Sequence, residues 1–138
     1  MKIAYLDCFS GISGDMFIGA LLDAGLSFQN LDEKIRGLPF DSFHMEVKRE
    51  ARSQIFGTRF VVKTEGQEQT PRNLDVIRDI IRKGNLSRWV RDRSISIFEE
   101  LASAEGKIHN KLPGDVHFHE VGAVDSIIDI VGTVYGLE

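Results

Sequence analysis

The chain has 138 residues, 42% of them hydrophobic, with 17 basic against 21 acidic side chains and a net charge of −4. That is enough for one domain with a proper core, and the acidic balance excludes a general nucleic-acid binder, which needs a basic excess to neutralise phosphates. The single cysteine, Cys8, excludes an internal disulfide and a cysteine-based zinc knuckle and suits a reducing cytosol.

In chain order, residues 2–8 (Lys2 to Cys8) read as a short buried strand, too soon broken by charge to be a signal peptide. A Ser/Gly-rich turn, Phe9 to Asp15, leads into Met16 to Ala24, apolar nearly all round as in a helix buried on most sides, with Gly25 closing it at C′. Asn30 with Glu33 three residues on reads as a capping box for a short helix ending near Gly37 and Pro39. Phe43, Met45 and Val47, then Phe60 and Val62, alternate with polar or outward positions, predicting two half-buried strands paired antiparallel, with a bulge at Gly57. Glu65 to Pro71 reads as an exposed loop.

Asn73 is expected to cap a helix through Leu74, Ile77, Ile80 and Ile81 to Gly84-Asn85, and Ser87 a longer one to about His109. Lys111 to Gly114 is a turn, followed by a strand from Val116 and a last helix from Val124. That helix pattern stops at Glu138 with no stop signal or polar tail, as a natural C-terminus can and as a piece of a longer protein is expected to. The fold class is α/β (mixed α+β): a small mixed sheet with an antiparallel strand pair, packed by about five helices. No run reaches the roughly 18 apolar residues of a membrane span, so a soluble, cytoplasmic protein without membrane contact is expected.

Val116-His117-Phe118-His119-Glu120-Val121-Gly122-Ala123-Val124-Asp125 is the most informative stretch. In a strand His117 and His119 leave the same face, and a co-facial imidazole pair is the simplest chelate a strand offers a divalent ion. Glu120 and Asp125 add carboxylates; a His-x-His on a strand is equally the ordinary solvated face, with Val116 and Phe118 toward the core. His119-Glu120 opens like H-E-x-x-H, but Ala123 stands where the second histidine would be. Asp125 and Asp129 share a helix face with Gly132 and Gly136, which reads either as an acid reaching a metal or as dipole-complementing acids beside a close helix contact. In the N-terminal turn, Gly11 and Gly14 let backbone N–H groups approach an anion, and Ser10 and Ser13 add hydroxyls. Asp7 and Asp15 at its ends would repel a bare phosphate unless a divalent cation sat between. Cys8 is either a soft ligand or a small core residue. His44 and His109 read as surface residues, and the arginines from Arg72 to Arg93, interspersed with aspartates, as exposed helix faces.

Tyr5 to Ala20 and Val116 to Ile127 resemble the two signatures of the LarC nickel-insertion protein family, and Gly57-Thr58 fits as well. The resemblance covers essentially all of residues 1–138, but only the N-terminal domain of the family's full-length form, without its C-terminal CTP-binding domain. It implies insertion of nickel into pyridinium-3,5-bisthiocarboxylic acid mononucleotide, forming the nickel-pincer cofactor of lactate racemase. The reaction is CTP-dependent and needs manganese or magnesium, and the enzyme is a cyclometallase grouped with lyases; this domain alone is expected to be inactive. Many members carry a histidine-rich loop after the second middle strand, which is missing from Glu65 to Pro71 here. On the positions that match the motifs, His117, His119 and Cys8 are the candidate nickel ligands. Asp7, Asp15, Glu120 and Asp125 are the candidate catalytic carboxylates, and Ser10, Gly11, Ser13 and Gly14 the candidate substrate-phosphate cradle. A homo-oligomer is expected, and the rival reading is a non-catalytic scaffold module of the same protein.

Overall fold

The architecture starts from a hairpin whose pattern of two is plain in the sequence. In the computed structural model, which describes residues 3–40, 42–64, 71–118 and 122–138, strands β1 (Phe43–Arg52) and β2 (Ile55–Thr64) pair antiparallel from Phe43↔Thr64 to Arg52↔Ile55. Met45 and Phe60 point inward and are buried, whereas Ile55 and Phe56 at the tip are exposed. The connection is Ser53-Gln54, both left-handed at φ 48° and 68°, the twist a two-residue hairpin requires.

Among the described residues five α-helices surround one core: α1 (Gly14–Asp23), α2 (Phe28–Arg36), α3 (Leu74–Lys83), α4 (Arg88–His109) and α5 (Val124–Leu137). Two-residue strands β3 (Arg72–Asn73) and β4 (His117–Phe118) form a second antiparallel pair. The mixed α/β class is as expected, with two separate two-stranded sheets among the described residues. Local chemistry starts the helices. Asn73 and Ser87 each accept the N–H three residues on, from Val76 at 3.0 Å and Val90 at 3.1 Å, satisfying donors that have no intrahelical partner. Arg82 and Lys83 close α3 with charges that suit its dipole. Helix α4 buries Val90, Ser94, Phe98, Ala102 and Gly106, every fourth residue, and ends on left-handed Asn110. Ile127, Ile128 and Val131 of α5 complete the core beside Ile18 of α1.

Four expectations are corrected. Residues 3–8 form no strand, and Ile3, Tyr5 and Leu6 are exposed rather than buried. A strand is held by a neighbour's N–H and C=O groups, and none lies alongside this segment among the described residues. Helix α2 is capped by Ser27, whose Oγ accepts the Asn30 N–H, so Asn30 lies inside the helix rather than at its cap. Gly57 pairs with Glu50 in unbroken register, so it makes no bulge. Helix α1 is also less enclosed than expected: Ile18 and Gly19 are buried while Met16 and Ala20 are exposed. The expected loop at residues 65–71 lies outside the described residues except for Pro71.

Helix α1 crosses β2 at Gly19, where an added Cβ would collide with the Thr58 carbonyl oxygen. Just beyond, the Thr58 hydroxyl and amide donate to Asp23 at 2.6 and 3.2 Å, and these hydrogen bonds hold the Asp23 carboxyl below its ordinary pKa. Alanine is the better helix former by about 1 kcal/mol. Against a backbone oxygen that cannot swing away, overpacking of about 1–3 kcal/mol wins. Gly19→Ala is therefore expected to lower the urea midpoint, and an unchanged or raised midpoint would show that the crossing has room.

Candidate functional site

The histidine arm is built on β4. Asn73 pairs with His117 and Arg72 with Phe118. Phe118 is buried against Phe98, ring centroids 6.3 Å apart, while His117 faces solvent. The alternation expected of this strand therefore holds over Val116, His117 and Phe118. His117 Nδ1 lies 3.2 Å from the carbonyl oxygen of Asp115. A carbonyl only accepts, so Nδ1 carries the proton, and in the neutral ring the lone pair is on Nε2. A carbonyl fixing one nitrogen while the other stays available is the usual setting of a metal-ligating imidazole. His119 and Glu120 lie outside the described residues.

The second motif surrounds the start of α1. Gly11 is left-handed at φ 84°, and its N–H donates to the Cys8 carbonyl at 2.9 Å, closing a tight turn. Asp7, Cys8, Ser10, Gly11 and Ser13 are all exposed, so Cys8 is not the core residue that a buried strand would have made it. Ser13 precedes the helix without capping it, its hydroxyl donating to Asp15 instead. Gly14 approaches α5 so closely that an added Cβ would lie 2.5 Å from that of Asp129. Asp129 accepts a hydrogen bond from the Asp15 backbone. The anion seat that a helix start offers is thus taken by the protein's own carboxyl. Burial, reinforced by the charges of Asp15 and Asp125, pushes the Asp129 pKa up to about 7. A cleft of about 350 Å³ opens here between α1, α4 and α5, with Ser13, Phe17, Asp129 and Thr133 among its walls. The Thr133 hydroxyl is buried without a hydrogen-bond partner among the described residues.

The two motifs are linked through Asp129 of α5, whose carboxyl feels the charges of both Asp15 and Asp125. Asp125, exposed, accepts the N–H of Ser126 at 2.8 Å. Among the described residues no three His, Cys, Asp or Glu side chains stand close enough to hold a metal ion. The acidic rim fits neither a triphosphate nor a bare phosphate, and the described residues hold no set suited to a resident manganese or magnesium. Gly132 and Gly136 make the close helix contact that was one reading of that stripe, against Ile18 and Leu21 of α1. His44 and His109 are on the surface, as expected. Arg72 is not: it is half-buried in β3, where sequence gave only an exposed basic run. The tertiary role of Asp129 had no local signal, since it sits in the second turn of its own helix and serves the first turn of another.

A mixed α/β domain that presents an imidazole with its Nε2 edge available, and a helix start lined by carboxylates, suits a protein that handles a metal cation. Residues 4–138 match the family model described as "Nickel insertion protein", and the chain belongs to that family. It is 47% identical over 137 residues to the pyridinium-3,5-bisthiocarboxylic acid mononucleotide nickel insertion protein of Desulfitobacterium hafniense, covering 99% of this chain and 34% of that one. With the protein of the same name from Acetivibrio thermocellus it shares 44% identity over 146 residues, covering 100% of this chain and 36% of the relative. The chain thus spans about a third of the length of these relatives. No solved structure matches it.

Proposed function

We propose that this chain is the nickel-handling N-terminal domain of a nickel insertion protein. The whole protein would insert nickel into pyridinium-3,5-bisthiocarboxylic acid mononucleotide, making the nickel-pincer cofactor of lactate racemase in a CTP-dependent, lyase-type cyclometallation in the cytoplasm. The relatives' names support the substrate. One observation carries the role of this domain: His117, its Nδ1 proton on the Asp115 carbonyl, leaves Nε2 as a ligand edge open to solvent. Nickel, a borderline ion, suits imidazole. His119 and Cys8 are proposed as further ligands, and Asp7, Asp15, Glu120 and Asp125 as carboxylates that attract the cation. The substrate phosphate is proposed to approach at Ser10, Gly11, Ser13 and Gly14 only with the cation between it and Asp15. CTP and its divalent ion are assigned to no residue of this chain. No helix among the described residues is long and apolar enough to cross a membrane.

A second reading, a scaffold that joins copies of the protein, is favoured by six large apolar side chains exposed between Ile3 and Met16. Calorimetric titration of the chain with nickel separates the two. Stoichiometric binding that is lost in the His117→Ala/His119→Ala double variant is expected. No binding, or binding untouched by the double substitution, overturns the ligand assignment.

A further inference from the structure

One residue, Arg72, ties the end of β4 to Gly122. Arg72 is the backbone partner of Phe118 in the β3–β4 pair. Its side chain reaches forward to Gly122, Nη1 donating to the carbonyl oxygen at 2.7 Å. The guanidinium also stands 6.0 Å over the Phe40 ring, an attraction that favours one rotamer of a long side chain. Gly122 is buried here: an added Cβ would lie 2.8 Å from the Phe118 carbonyl oxygen and 3.4 Å from the Arg72 Cβ. Phe118 and Gly122 therefore lie against one another, with Arg72 touching both. The neighbouring residue Asn73 pairs with His117 while its side chain starts α3, so β3 is anchored to a helix and cannot shift alone. A two-residue ladder supplies little cohesion of its own, since an isolated strand pair is marginal in water. The charged donor is the strongest tie available to it.

We propose that Arg72 is the positioning residue of the histidine arm. Its guanidinium, bridging β3 to the Gly122 carbonyl, locks β4 in the register that puts His117 Nδ1 on the Asp115 carbonyl and turns Nε2 outward as a nickel ligand. Arg72 touches no metal; it acts through the strand. This rests on the nickel reading for its use, while the geometry it claims is independent of metal.

The test uses the 138-residue chain and two variants that remove the reach of the clamp: Arg72→Met, which keeps an unbranched apolar side chain, and Arg72→Gln, which keeps a hydrated end should the first not fold. Nitrogen-15 NMR of the His117 ring at a pH where it is neutral reads the tautomer. The Nδ1–H form is expected in the wild type and a mixed population in either variant. Nickel affinity is expected to fall about tenfold in the same variants, as for other residues that orient a ligating histidine. A wild-type ring in the Nε2–H form overturns the proposal, and so does a variant that keeps the wild-type tautomer. If the wild type binds no nickel, the nickel reading fails, while the tautomer comparison still decides the role of Arg72.

Discussion

Replacing Phe98 with alanine is expected to remove about 3–5 kcal/mol of folding stability, read as a large fall in the urea midpoint at unchanged slope. Phe98 is wholly buried near the middle of α4 and meets the buried ring of Phe118 edge to face. The substitution therefore empties the centre of the core and takes the backing from β4 together. Domains of this kind hold about 5–15 kcal/mol in all, so an unfolded fraction that was negligible becomes measurable. Because β4 loses its support, nickel binding is expected to weaken in conditions where the variant is still folded. Phe98→Leu, which refills most of the volume, is expected to return most of both losses. A midpoint shift worth less than about 1 kcal/mol would mean that α4 and β4 close over the void.

The second large effect is one of pH. The Asp129 carboxyl, ordinarily near 3.8, is pushed up to about 7 by burial and by Asp15 and Asp125. Below its ordinary value it is protonated both folded and unfolded and contributes no difference. Between about 4 and 7 the folded chain keeps a proton that the unfolded chain has released, so stability falls as pH rises, and above 7 the penalty is complete. Proton linkage alone would put that penalty at about 4 kcal/mol; solvent at a half-buried carboxyl cuts it to roughly 1–2 kcal/mol. Asp129→Asn keeps an acceptor for the Asp15 N–H and sheds the charge. Its melting midpoint is expected to exceed the wild type by roughly 4–8 °C at pH 8, the gap closing toward pH 4. The difference between the two proteins isolates this group from acids with lowered pKa, such as Asp23 and Glu46, whose contributions are lost only in stronger acid. Equal midpoints at both pH values would show that the carboxyl is freely solvated.

What the sequence made legible was local. Asn73 and Ser87 could be read as caps because the bond they make spans three residues, and the β1–β2 pair because period two needs only its own strand. Residues 3–8 misled because apolar content announces burial without naming a partner. Ser27 and Asn30 are both residue types that cap helices, and only the backbone decides which of them does. The hairpin turn at Ser53-Gln54 carries no glycine, so its left-handed pair left no mark in composition. At the candidate site, the residue types at His117, Ser13 and Gly14 were visible as motifs. Asp129 reaching the start of α1, and Arg72 reaching Gly122, join residues 50 or more positions apart, and no spacing rule reports them.

Along the seam of α1 and α5, Gly14 fits against Asp129, Ile18 against Gly132 and Leu21 against Gly136. Three successive places where one helix leaves out a side chain allow no slack between them. The close fit leaves the two helices no room to slide past each other, so the turn before α1 and the far end of α5 are held at a fixed separation, like the two ends of a splint.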